Sequence, residues 1–168
     1  TWTSGTQITV TPVAGPIVTF TFSSTDTPTA YLSPTTTPAN ATVSDIALSA
    51  GTFVKGGTAG TNFPNEPYIE SNGWTATSQS AAKYYYFTIT PAAGYELSLT
   101  GISFIGYATS AGPEVIGFDI DNGAATYSVS SPSTTNVNVN QSISGVTGKT
   151  GAVTIKIQGW LNGSRSSA

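Results

Sequence analysis

The chain contains no cysteine and no methionine. Without thiols it has no disulfide staples and no thiolate metal sites, and it lacks both of the sulfur side chains most open to oxidation. Histidine is absent as well, which excludes Ser-His-Asp and Cys-His nucleophilic centres and histidine-based zinc sites. Charged residues make up only 8% of the 168 positions, against about a quarter in an average soluble domain. The five basic side chains, Lys55, Lys83, Lys149, Lys156 and Arg165, are scattered along a chain of net charge −3, so there is no basic footprint for nucleic acid or anionic lipid. No apolar run approaches the roughly 20 residues that a membrane-spanning helix needs. Among the eight acidic residues, Glu66, Glu70, Glu96 and Glu114 are nominal candidates for a glycosidase pair, but nothing in their spacing singles out two of them. With no motif whose mechanics would support a reaction, the chain reads as a non-enzyme.

Threonine, serine, alanine and glycine fill the positions that charge leaves open, so solubility has to rest on hydroxyl and amide groups. A sulfur-free, hydroxyl-rich composition suits an oxidising, protease-rich exterior, and an extracellular or cell-surface location is expected. Low charge can also signal disorder. Here 11% aromatic residues and repeated Val/Ile alternation argue for a packed core.

Apolar and polar residues alternate from end to end, and no stretch carries a capped helical period. Clear examples are Ile8/Val10, Val18/Phe20/Phe22, Tyr85/Phe87/Ile89, Leu97/Leu99, Ile116/Phe118/Ile120, Val137/Val139 and Val153/Ile155/Ile157. Turn signals such as Gly15-Pro16, Asn72-Gly73, Gly112-Pro113 and Asn122-Gly123 separate them. About ten short strands at this spacing predict an all-β fold, a sandwich of two antiparallel sheets. Residues 1–15 form a strand-like extension, and residues 16–168 the sandwich domain. Two stretches read as loops, the Pro- and Thr-rich residues 23–42 and the long residues 56–80. The second is the expected rim for any ligand, since long loops tend to carry function.

Two side-chain groups have a chemistry of their own. Asp119-Ile120-Asp121-Asn122-Gly123 places two carboxylates at i and i+2, on one side of a strand end, before a turn. Asp119, Asp121 and Asn122 are hard oxygen ligands of the kind calcium takes, and the competing reading is an Asn-Gly hairpin with both acids in water. No other cofactor is implied. In Lys83-Tyr84-Tyr85-Tyr86-Phe87 the alternation turns Tyr85 and Phe87 inward with Ile89 and leaves Tyr84 and Tyr86 on the opposite face. Trp160 falls on the Thr154, Lys156, Gln158 face by the same count, and Trp74 lies in the long loop. Exposed Tyr84, Tyr86, Trp74 and Trp160 rings could stack on sugars; the competing reading buries them under residues 56–80.

The order Glu66-Pro67-Tyr68, Asn72-Gly73-Trp74, Lys83 through Pro91, Ala93 through Phe104 and Gly112-Pro113 resembles the jelly-roll domains repeated in exported bacterial surface proteins. The resemblance extends loosely from Pro16 to Trp160 and implies a β-sandwich of the carbohydrate-binding-module type. Two departures stand out. Where those domains carry an Arg-Ser pair before Gly-Pro, this chain has Tyr107-Ala108-Thr109-Ser110-Ala111, so no role of that arginine carries over. They also continue past a segment like residues 153–163 into one more strand. Its lack here implies an open edge near Val153 to Ile157, which residues 6–13 could fill through Ile8, Val10 and Val13. Supplied by a neighbouring subunit, that donor strand would build a homo-oligomer or fibre. The expected function is therefore a structural or adhesive surface module, with a carbohydrate-binding module as the alternative.

Overall fold

The structure is a computed structural model that describes residues 17–21, 33–54, 70–71 and 73–163. Among them ten strands and one short 3-10 turn, Gln79–Ala81, build an all-β sandwich. The strands are β1 (Ala41–Val43), β2 (Ala47–Leu48), β3 (Phe53–Val54), β4 (Glu70–Ser71), β5 (Lys83–Pro91), β6 (Gly101–Tyr107), β7 (Val115–Ile120), β8 (Ala125–Ser130), β9 (Asn136–Ser142) and β10 (Val153–Trp160).

The large sheet runs β1-β5-β10-β7-β8, with β2 beside β1 on the same edge of β5, and every pairing is antiparallel. The facing sheet is β6-β9, and β3-β4 forms a separate two-stranded ribbon. Three nested antiparallel pairs underlie this order: β5 with β10, β6 with β9, and β7 with β8. The chain runs out along β5, β6 and β7, turns between Ile120 and Ala125, and returns along β8, β9 and β10. Such a long hairpin, rolled so that its middle pair lies over the other two, is the jelly-roll arrangement.

Period-two patterning decides which side chains fill the space between the sheets. Tyr85, Phe87 and Ile89 of β5, Val153, Ile155 and Ile157 of β10, and Ile116, Phe118 and Ile120 of β7 share the inner face of the large sheet. Val137 and Val139 of β9 come from the other sheet, while Asn136, Asn138 and Asn140 between and beside them are exposed. The resulting core includes Ile89, Phe118, Ile120, Val139, Val146, Val153 and Ile155, all nearly inaccessible to solvent. Phe118 stacks on Tyr127 of β8 at 5.7 Å, and Phe20 packs against Phe87 at 4.8 Å. Gly106 leaves room on β6, since a Cβ there would lie 2.7 Å from the Ile116 side chain.

Two expectations need correction. The edge expected near Val153 to Ile157 does not exist, because β10 is paired with β5 on one side and with β7 on the other. Rolling the hairpin brings β7 into the position that an extra final strand would take. Among the described residues the outer strands of the large sheet are instead β8 on one side and β1 with β2 on the other. Ile8, Val10 and Val13, the expected donor residues, lie outside the described residues, as do residues 56–69 and residue 72 of the long loop. Leu97 and Leu99 are buried as their alternation requires, but they make only a single bridge, Leu97 with Lys149, and a Leu99 N–H to Val146 carbonyl bond. Their segment is core without a ladder.

Candidate functional site

The outer face of the large sheet gathers most of the residues with distinctive chemistry. Register sets the rows: Tyr86, Lys156 and Asp119 stand side by side on β5, β10 and β7, and Tyr84, Gln158 and Gly117 form the next row. Thr88 and Thr154 lie on the other side of the tyrosine-lysine row, their hydroxyls 3.3 Å apart. The Tyr84 and Tyr86 rings meet edge to face, 5.7 Å between centroids at 67°. This is the arrangement that the aromatic quadrupole favours. The Lys156 ammonium sits 5.5 Å from the Tyr84 ring centre, within cation–π range.

Lys156 also reaches the β7–β8 turn. Its Nζ donates to Asn122 Oδ1 at 3.0 Å and stands 3.6 Å from Asp119 Oδ2. Both charged side chains are largely shielded, with about a fifth of their area exposed (19% and 20%). The other Asp119 oxygen accepts the Gly123 N–H at 2.7 Å. Asp121 and Asn122 both adopt the left-handed backbone, φ 52° and 54°, which Asp and Asn tolerate better than other side chains. The turn is therefore a four-residue link, residues 121–124, and does not close on Asn122-Gly123 alone.

The three oxygen ligands expected for calcium are thus drawn apart. Asp119 and Asn122 face Lys156, while Asp121 is paired with Lys149. No group of three or more acidic, histidine or cysteine residues gathers among the described residues.

The four aromatic residues also divide. Tyr84 and Tyr86 share the outer face and are half-buried, as are the other two. Trp160 lies on the same face but beyond Gln158, which is buried with its Oε1 accepting from Gln79 Nε2 at 3.0 Å. The 3-10 turn carrying Gln79 closes that end of the face, helped by the Leu161 N–H to Ala76 carbonyl bond. Trp74 is on the opposite side. Its indole donates to the Ser71 carbonyl at 2.6 Å, its ring is 5.5 Å from that of inward-facing Tyr85, and a Cβ on Gly159 would come within 3.3 Å of it. Lys83 Nζ lies 5.6 Å from the Trp74 ring centre, and burial lowers its ammonium below the ordinary lysine value.

Lys156 is the residue that sequence reasoning passed over. Its alternation with Ile155 and Ile157 already placed it on the outer face. What makes it central is its neighbour on each side, and that follows only from the pairing of β10. Comparison of the chain with protein-family models, with curated proteins and with solved structures finds no match.

Proposed function

We propose that the protein is an exported, non-catalytic glycan-binding β-sandwich module. The observation that carries this reading is the Tyr84–Tyr86 pair on the outer face of the large sheet, bordered by Lys156, Asp119, Thr88 and Thr154. Aromatic faces pack on the C–H faces of pyranose rings, and the bordering ammonium, carboxylate and hydroxyl groups suit sugar hydroxyls as donors and acceptors. Among the described residues neither tyrosine hydroxyl makes a protein hydrogen bond. The fibre reading is less well supported, because the acceptor edge on which it rested is occupied on both sides.

Affinity electrophoresis in gels containing neutral or acidic polysaccharides tests the proposal. Retardation by at least one polysaccharide is expected, and replacing Tyr84 and Tyr86 together by Ala should weaken it. Two aromatic contacts at about 0.5–1.5 kcal/mol each amount to roughly a five- to 150-fold loss of affinity. Trp74→Ala should leave binding unchanged wherever that variant stays folded. If no polysaccharide retards the wild type, or the double variant binds as well, the proposal fails.

A further inference from the structure

We infer that Lys156 and Asn122 are poised to form an intramolecular amide, a covalent tie between β10 and the β7–β8 turn. The geometry that points to it is a distance order. A lysine whose main partner is a carboxylate sits about 2.7–2.9 Å from it. Lys156 Nζ is instead nearer the Asn122 carboxamide oxygen, 3.0 Å, than the Asp119 carboxylate, 3.6 Å. The carboxamide carbon lies one bond, roughly 1.2 Å, from that oxygen, and rotation about the Asn122 side chain is the movement that would carry it toward the amine.

The surroundings hold the reactants together. Lys156 stands between Tyr86 and Asp119 in the ladder, with the Tyr84 ring beside its head group. The turn is pinned on three sides, by the Asp121 N–H to Thr154 carbonyl bond at 2.9 Å, the Gly123 N–H to Asp119 bond, and the Lys149 contact to the Asp121 carboxylate. Fixing two reacting groups in this way replaces a bimolecular encounter by an intramolecular one, with effective concentrations that reach about 10⁵ M and above for well-aligned pairs. The Gly123 N–H, the group that would otherwise close onto the Asn122 side chain, is engaged by Asp119.

The step balances without a co-reactant. Asp119 takes one proton from the Lys156 ammonium, and the neutral amine attacks the Asn122 carboxamide carbon. The C–N bond to Lys156 forms as the C–NH₂ bond breaks. The leaving nitrogen collects the proton from Asp119 and a second from the attacking nitrogen, and departs as ammonium. Asp119 ends as it began, a proton carrier acting by general acid–base transfer. The tyrosine rings are not reactants, but the Lys156 ammonium that borders them is, so a chain carrying the amide would offer a glycan Tyr84 and Tyr86 without that charge.

Mass spectrometry of the intact chain, freshly purified and after prolonged incubation at neutral pH, tests the inference. The expected result is a chain lighter by one ammonia, with a protease digest yielding a branched peptide that joins the Asn122 and Lys156 segments. Lys156→Arg and Asn122→Ala should each keep their full mass, and Asp119→Asn should slow or abolish the loss. A wild-type chain of full mass overturns the inference. So does a loss of ammonia without the branched peptide, which marks cyclisation at Asn122-Gly123, or a loss that persists in Lys156→Arg. An Asp119→Asn chain that forms the amide at the wild-type rate overturns the role given to that carboxylate.

Discussion

Phe118 and Ile105 test the division of the chain into faces most directly, because the two residues differ in exposure far more than in hydrophobicity. Phe118 is 2% exposed at the centre of β7, beside Ile157 of β10 and stacked on Tyr127 of β8. Phe118→Ala removes its transfer free energy and leaves a cavity that close-packed neighbours fill only in part, which costs about 3–5 kcal/mol. Natural domains have about 5–15 kcal/mol in total, so the variant should stay folded with much of its margin gone. Urea unfolding measures this. With a slope near 2 kcal/mol per molar, within the usual range, the midpoint should fall by about 2 M at unchanged slope. Ile105, on the outer face of β6, is 52% exposed, and Ile105→Ala should move stability by no more than about 0.5 kcal/mol. A Phe118→Ala shift below roughly 0.5 M, or an Ile105 effect of equal size, would refute the assignment of inner and outer faces.

Other perturbations follow from single features. Gly145→Ala should destabilise more than Gly106→Ala: a Cβ at Gly145 would lie within 1.9 Å of the Ala124 carbonyl oxygen, which is backbone, whereas at Gly106 the obstacle is the end of the Ile116 side chain. Overpacking costs about 1–3 kcal/mol, and urea midpoints of the two variants should rank them in that order. Burial lowers the Lys83 ammonium, so the unfolded chain holds that proton to higher pH than the folded one. Stability should therefore rise with pH just below the ordinary lysine range and be lost again as pH falls through the lowered value; unfolding midpoints for the wild type and Lys83→Met across the alkaline range should differ by this rise. Millimolar calcium should leave the melting temperature unmoved, since Asp119 and Asp121 already have lysine partners; a rise with calcium that a chelator reverses would show that the ion displaces them.

The faces of individual strands were legible in the sequence. Tyr85/Phe87/Ile89, Ile116/Phe118/Ile120, Val137/Val139 and Val153/Ile155/Ile157 all turn inward as their alternation predicts, and Tyr84 and Tyr86 turn outward. Side-chain direction along a strand is a local property with period two, so a handful of consecutive residues is enough to show it. The strand pair β7–β8 was half legible: Ile116/Phe118/Ile120 announce one strand, while Ala125, Tyr127 and Val129 announce the other more weakly because alanine is a poor strand marker.

Neighbourhood was not legible, because which strand lies beside which depends on how the whole hairpin rolls. Nothing local to residues 153–160 distinguishes an edge strand from one enclosed by β5 and β7, and the resemblance pointed to the wrong answer there. The same holds for Trp74 and Trp160, which composition offers as equals but which the rolled sandwich assigns to opposite faces. Asp119 and Asn122 could be read from the sequence as a calcium turn; only the placement of β10 beside β7 turns them toward Lys156. Sequence by itself determined the strand character, the inward residues and the outward tyrosines, since these follow from patterns a few residues long. The enclosed β10 and the contact of Lys156 with Asn122 were decided by tertiary structure, since both join residues that only long-range pairing brings together.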